Sequence, residues 1–256
     1  MSRASSERVG RALFHVKRIE SLVCMTESSA APVLLEPEAA QRVFGDRLPL
    51  ARRYTELLAQ HGPERGLIGP REIERLWDRH ILNSAVVQSA FPANARVIDV
   101  GSGAGLPGIP LAIARPDLEL TLLEPMERRV AWLNEVVADL GLPVNVVRGR
   151  AEEPAIRKQL ADWDAVTARA VKSLSQLAQW CFPLLRPGGL LVALKGASAE
   201  EEITRDRKAI SAAGGLEPRI VSCGADVLTV PTTVVVIERS PHARRANSGR
   251  RQRKDQ

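Results

Sequence analysis

Asp99, Gly101, Gly103 and Gly105, followed by Leu106 and then Gly108, stand where the apolar run 96–100 ends. Without a Cβ the chain can take positive φ at such glycines, and a ligand can lie against bare amides at the start of the next helix. The spacing is G-x-G-x-G, whereas a dinucleotide turn reads G-x-G-x-x-G and receives a pyrophosphate. A carboxylate two residues ahead of the first glycine repels a pyrophosphate and suits a cation. S-adenosylmethionine carries an ammonium and a sulfonium and no phosphate. Glu124 closes a second apolar run, 118–123, at the remove of roughly twenty residues where nucleotide folds place the acid that accepts two ribose hydroxyls. Alone, a glycine-rich turn is only a tight strand-to-helix connection; the two acids flanking it turn the reading toward a ligand.

Three further rims complete the candidate site. The run 148–153 would set Ala151 and Glu152 beside the adenine of such a ligand, although acids at a helix start are also what the helix dipole favours. At 168–171 stands Ala-Arg-Ala-Val, with no Asn-Pro-Pro-Tyr or Asp-Pro-Pro-Tyr to draw protons from an exocyclic amine. Attack at pyrimidine C5 needs a cysteine nucleophile, and Cys181 lies inside an apolar helical pattern. A ring nitrogen such as guanine N7 has its lone pair already and is an acceptor that Arg or Lys can contact. Arg169 and Lys195 are the cations of this rim, with surface charge at strand ends as the plain alternative. His80, preceded by Arg79, falls in an amphipathic helical pattern and reads as structural or substrate-positioning.

The elements that must hold these residues follow from period. From about Glu38 to Phe91 the pattern is helical, with Leu50, Tyr54, Leu57 and Leu58 on one face and Ile73, Leu76, Trp77, Ile81 and Leu82 on another, broken at Pro63 to Pro70. After Pro92 strands and helices alternate, as in a doubly wound sheet. The reading places strands at 95–100, 118–123, 144–148, 164–169, 189–194, 217–222 and 232–238. Helices fall at 106–115, 126–140, 152–160, 173–182 and 199–213, and Arg-Pro-Gly-Gly at 186–189 is the turn that feeds the fifth strand. The fold class is therefore α/β, a Rossmann-like doubly wound sheet (93–239) with a small N-terminal helical cap (36–92).

Composition limits the partners. No apolar stretch reaches the roughly 18 residues of a membrane span, and no export signal is evident. Cys24, Cys181 and Cys223 are far apart, which suggests neither a disulfide framework nor a zinc site, so a cytoplasmic protein without metal is expected. Between Arg239 and Gln256 seven basic residues stand against one acid, which accounts for the whole net charge of +6. The tail 240–256 reads as a basic disordered arm, either solubilising or phosphate-binding. Residues 1–35 show no sustained period and are expected to have little order. Met25 begins a more ordinary lead-in, an expectation that translation starts there. The peptide at 14–17, Phe-His-Val-Lys, can be encoded by a self-complementary stretch like the centromere-like site of bacterial chromosome partitioning.

Taken together, the runs at 79–84, 97–112, 149–153, 169–171 and 193–196 resemble the small-subunit ribosomal RNA guanine N7 methyltransferases, once called glucose-inhibited division protein B. The Leu-Pro-Gly-Ile-Pro extension at 106–110 is more specific than the glycines alone. The resemblance covers roughly 38–238. It implies a class I enzyme, with S-adenosylmethionine as methyl donor and S-adenosylhomocysteine as product, acting on one guanine N7 in the decoding-region loop of 16S rRNA in the small ribosomal subunit, with no membrane and no obligate protein partner. It also implies that Gly101, Leu106, Ala151 with Glu152, and Arg169 meet the cofactor; Asp99, Gly103, Gly105 and Glu124 are added from their chemistry. Two readings from other classes remain for comparison: a nicotinamide oxidoreductase, which lacks its phosphate spacing and hydride relay here, and an RNA-binding module, which would want more than 4% aromatics. Another methyl acceptor is the alternative within the enzyme reading.

Overall fold

The computed structural model describes residues 34–169 and 172–242. The expectations for the N-terminal extension, for Met25, for 14–17, for Ala170 and Val171, and for the basic tail from 243 lie outside the described residues.

The strands are β1 (Arg96–Val100), β2 (Glu119–Glu124), β3 (Val144–Arg148), β4 (Trp163–Arg169), β5 (Leu185–Lys195), β6 (Arg219–Cys223) and β7 (Thr232–Glu238). They form one sheet in the order β3-β2-β1-β4-β5-β7-β6. The pairings from β3 across to β5 are parallel, and β7 runs antiparallel to both β5 and β6. The central strands are near-continuous apolar runs because both sheet faces are covered. In β1, Val97 joins one core, and Ile98 and Val100 the other.

The helices are α1 (Ala39–Phe44), α2 (Leu48–His61), α3 (Asn83–Ala85), α4 (Gly108–Ala114), α5 (Glu127–Asp139), α6 (Pro154–Gln159), α7 (Leu174–Cys181) and α8 (Ala199–Ala212). The first core takes Ala40, Tyr54, Leu58 and Leu82 from the N-terminal helical segments together with Ile109 of α4 and Trp132 of α5. The second takes Ile156, Leu177 and Ile203 from α6, α7 and α8. Residues 39–91 therefore share one core with the sheet.

Two local departures from the sequence reading have physical causes. The segment carrying His80 is not a regular α-helix: a 3-10 turn at Pro70–Arg75 runs into a π-helical turn at Leu76–Leu82. Its buried apolar pairs, Leu76 with Ile81 and Trp77 with Leu82, are five apart, the spacing of the wider π turn. The run 186–189 lies within β5 as a bulge, where the partners of β4 jump from Trp163↔Leu185 to Ala165↔Leu190. Gly188 takes φ 74° there and donates its N–H to the Arg239 carbonyl at 2.9 Å, so β5 stays bonded to the residue after β7 through the bulge.

Candidate cofactor and substrate cleft

The strand order reverses direction between β1 and β4, and ligands in open α/β sheets bind beyond the carboxyl ends at that point. A cleft of about 740 Å³ opens there. One wall is the turn after β1 with the end of β2: Gly101 to Ala104, Leu106, Glu124 to Met126, and Arg129. The other is Leu67 to Gly69 with Glu72, Arg79 and His80, and Arg169 also lines the space.

Backbone geometry makes the first wall. Gly101, Gly103 and Gly105 all have positive φ, at 74°, 57° and 106°. At Gly105 a Cβ would stand 2.7 Å from Ile109 and 3.1 Å from the Tyr54 hydroxyl, so no side chain fits. Glu124 is only 1% exposed. Its Oε2 accepts the Gly103 N–H at 2.9 Å and its Oε1 the Met126 N–H at 3.0 Å. Each carboxylate oxygen retains acceptor capacity for a hydroxyl. The turn is also gripped from behind, because the Ala104 carbonyl accepts from the Tyr54 hydroxyl at 3.0 Å and from the Trp132 indole at 2.8 Å. Burial pushes the Tyr54 phenol far up, which keeps it a donor.

Asp99 is fully buried behind this turn. Its Oδ2 accepts the Gly108 N–H at 3.1 Å, while Oδ1 has no partner. Burial raises its pKa to about 7 against the pull of the Gly108 bond, and the Glu124 charge adds to the rise. A cation brought near would lower it again. A second orphan, Nε of Arg129, belongs to a residue lining the same cleft.

Tertiary hydrogen bonds make the second wall. Arg169, at the end of β4, donates from Nη1 to the Ser84 hydroxyl at 2.9 Å and the His80 carbonyl at 3.4 Å, and from Nη2 to the Arg79 carbonyl at 3.0 Å and His80 Nδ1 at 2.8 Å. His80 Nε2 lies 2.8 Å from Glu72 Oε2. Desolvation first, then the Arg169 charge, lower the His80 pKa, so the ring is neutral near pH 7.

Of the residues singled out by sequence, Gly101, Gly103, Leu106, Glu124, Arg79, His80 and Arg169 line the one cleft. Asp99 and Gly105 support it from behind. Ala151, Glu152 and Lys195 are not among its lining residues; Arg150, one position before Ala151, is. The Ala151 carbonyl accepts from Arg157 at 3.2 Å. Lys195 donates to Glu202 Oε2 at 2.8 Å and to the Lys172 carbonyl at 2.7 Å, so its charge is already matched. The sequence reading missed Glu72, Trp132, Arg129 and the polar role of Tyr54. Only Tyr54 left a signal, as a lone tyrosine on an otherwise leucine face. Among the described residues no three metal-ligating side chains gather as a metal site requires, and no helix is long and apolar enough to cross a membrane.

Comparison with known proteins bears on this cleft. The family described as rRNA small subunit methyltransferase G matches residues 47–230. The chain is 55% identical over 219 residues to the ribosomal RNA small subunit methyltransferase G of Mycobacterium sp. (strain KMS), covering 85% of this chain and 97% of that protein. With the protein of the same name from Mycolicibacterium paratuberculosis it shares 50% identity over 244 residues, 93% and 98% of the two chains; that match is wider than the stretch carrying the motifs. A solved structure from Methanococcus maripaludis, described as an S-adenosyl-L-methionine-dependent methyltransferase, superposes with a TM-score of 0.51 at 15% identity, over 73% of this chain and 93% of that one. At that identity the likeness shows the fold.

Proposed function

The chain belongs to the rRNA small subunit methyltransferase G family, and from that premise we propose that it transfers a methyl group from S-adenosylmethionine to N7 of one guanine of 16S rRNA in the cytoplasmic small ribosomal subunit. The observation that carries the reading is Glu124, a buried carboxylate at the switch point whose two oxygens fix the amides of Gly103 and Met126 beside positive-φ glycines.

The residues fit that cofactor. Glu124 has acceptor capacity for two ribose hydroxyls, Gly101 and Gly103 leave backbone bare along the chain of the ligand, and Pro125 and Met126 offer an apolar edge to its base. Met126 is 38% exposed in the cleft. The unpartnered Asp99 Oδ1 supplies negative potential on the side where a cationic group would lie, and Gly105, Leu106, Ala151 and Glu152 belong to the same proposed set. The bound donor supplies an electrophilic methyl on a sulfonium.

What the chain must do for the acceptor is hold and exclude. N7 brings its own lone pair, so no side chain need remove a proton, and the gain comes from orientation and a dry approach. Arg79, Arg129 and Arg150 line the cleft and suit phosphates of the acceptor strand. Arg169 acts through the wall it braces. Lys195, held by Glu202, reaches the acceptor only by exchanging that partner for a phosphate.

The test is transfer of labelled methyl to small subunits lacking the modification, followed by chain cleavage at N7-methylguanine. One cleavage site in 16S rRNA is expected. Label on an exocyclic amine, or none in that RNA, would overturn the reading.

A further inference from the structure

Glu72, Arg79, His80 and Arg169 form a chain of contacts whose polarity can be read atom by atom. A guanidinium only donates. Because Arg169 Nη2 lies 2.8 Å from His80 Nδ1, that nitrogen must be the acceptor, and the ring proton must sit on Nε2. The contact at 2.8 Å to Glu72 Oε2 is then an N–H donated to a carboxylate, which is the arrangement that secures this tautomer. Take the carboxylate away and the Nδ1–H form becomes accessible, pointing a donor at a donor.

We propose that Glu72 is a positioning residue for methyl transfer: by fixing the His80 tautomer it keeps Arg169 latched to the segment that carries Arg79, and so sets the acceptor wall of the cleft. This inference rests on the function proposed above and adds its control by acid. Protonation of His80 puts a hydrogen on Nδ1 and a positive charge beside the guanidinium. The latch then loses one of its four bonds and gains a repulsion. The charged groups facing the ring are Glu72 from the 3-10 turn, Arg79 from its own segment and Arg169 from β4; the His80 hydrogen bond first, then the charges of Arg79 and Arg75, hold the Glu72 carboxyl below the usual range. Glu72 is thus ionised at the neutral pH where the latch is closed.

The sign follows. His80 is neutral and latched at neutral pH, and the latch opens as pH falls through a value below the ordinary imidazole range. Asp99, at about 7 and itself lowered by the Arg169 charge, titrates nearby and shapes the same acid limb. An Asp99→Asn background, carried through the same profiles, removes that titration and separates the two.

The experiment is a pH–rate profile from pH 5 to 8 for transfer to small subunits, run in parallel for wild type, Glu72→Gln and Glu72→Ala so that titration of the substrate cancels. Glu72→Ala should lower kcat/KM at its plateau by about tenfold, the cost of a lost charge-assisted bond. Glu72→Gln, whose carbonyl still accepts from Nε2–H, should restore most of that plateau. Without the carboxylate charge its acid limb should move down by about one pH unit. A merely structural Glu72 would lower the melting temperature and leave the limb in place, and identical limbs in all three proteins would overturn the proposal. Nitrogen-15 NMR of histidine-labelled protein, with His80→Asn for assignment, reads the tautomer without any transfer. A protonated Nε2 in wild type, with the Nδ1–H form gaining population in Glu72→Ala, is expected; a protonated Nδ1 in wild type would overturn the relay. Absence of transfer by wild type would instead count against the proposed function.

Discussion

The two walls of the cleft are built by different means. The wall after β1 is backbone: three positive-φ glycines and one carboxylate, Glu124, that ties Gly103 to Met126. The wall from Leu67 to His80 is a 3-10 turn and a π turn, its apolar side buried in the core and its polar side fastened by Arg169 reaching across from β4. The first takes its side-chain partners Glu124, Trp132 and Tyr54 from within 50 positions. The second depends on residues nearly ninety positions away, and is the part that pH or substitution can move.

The comparison breaks first at Glu124. Glu124→Ala removes the acceptor for two backbone donors and for the ligand, and should weaken S-adenosylhomocysteine binding by at least about a hundredfold in calorimetry. A change below tenfold would mean the glycine wall stands without it. Arg169→Lys tests the other wall. A point charge cannot reproduce four forked bonds, so kcat/KM for the RNA should fall on the order of tenfold, with cofactor affinity moving much less. Equal losses in both would show that the walls are not separable.

Legibility follows the same division. Glycines and terminal acids state their geometry in their own chemistry, so Gly101, Gly103, Gly105 and Glu124 could be read from spacing. The alternating strands were also legible, since a sheet covered on both faces needs apolar runs, and β3 and β7 fall at the expected residues. The bulge in β5 was not, because Arg-Pro-Gly-Gly serves a turn and a bulge equally well. Glu72 was hidden among the charges of an exposed turn; only the fold brings it to His80. Lys195 looked like a free cation until α8 supplied Glu202. Trp132 carried no local mark of its bond to the Ala104 carbonyl.

Asp99 sharpens the contrast with a smaller effect of opposite sign. Its folded pKa is raised from the ordinary carboxyl value to about 7, so the ligand-free protein should lose stability as pH rises from about 4 to about 7, where only the unfolded chain ionises freely. Asp99→Asn, which keeps an acceptor for the Gly108 N–H, should flatten that dependence and melt higher than wild type at pH 8 while binding the cofactor less tightly. A variant that melts lower at pH 8 would show that the buried charge is compensated. At the bottom of the scale, Arg148→Gln breaks an exposed 3.0 Å pair with Glu127 outside both walls. Its melting temperature and activity should match wild type, since such exposed pairs contribute little; a clear loss would extend the site beyond the cleft.

The central claim is that the glycine wall holds a sulfonium methyl donor, and calorimetric titration with S-adenosylmethionine and S-adenosylhomocysteine, against NAD as the contrasting ligand, tests it most directly. The account predicts one saturable site per chain for both sulfur ligands, lost in Glu124→Ala, and no heat from NAD. Binding of NAD, or no binding of either sulfur ligand at millimolar concentration, would contradict it.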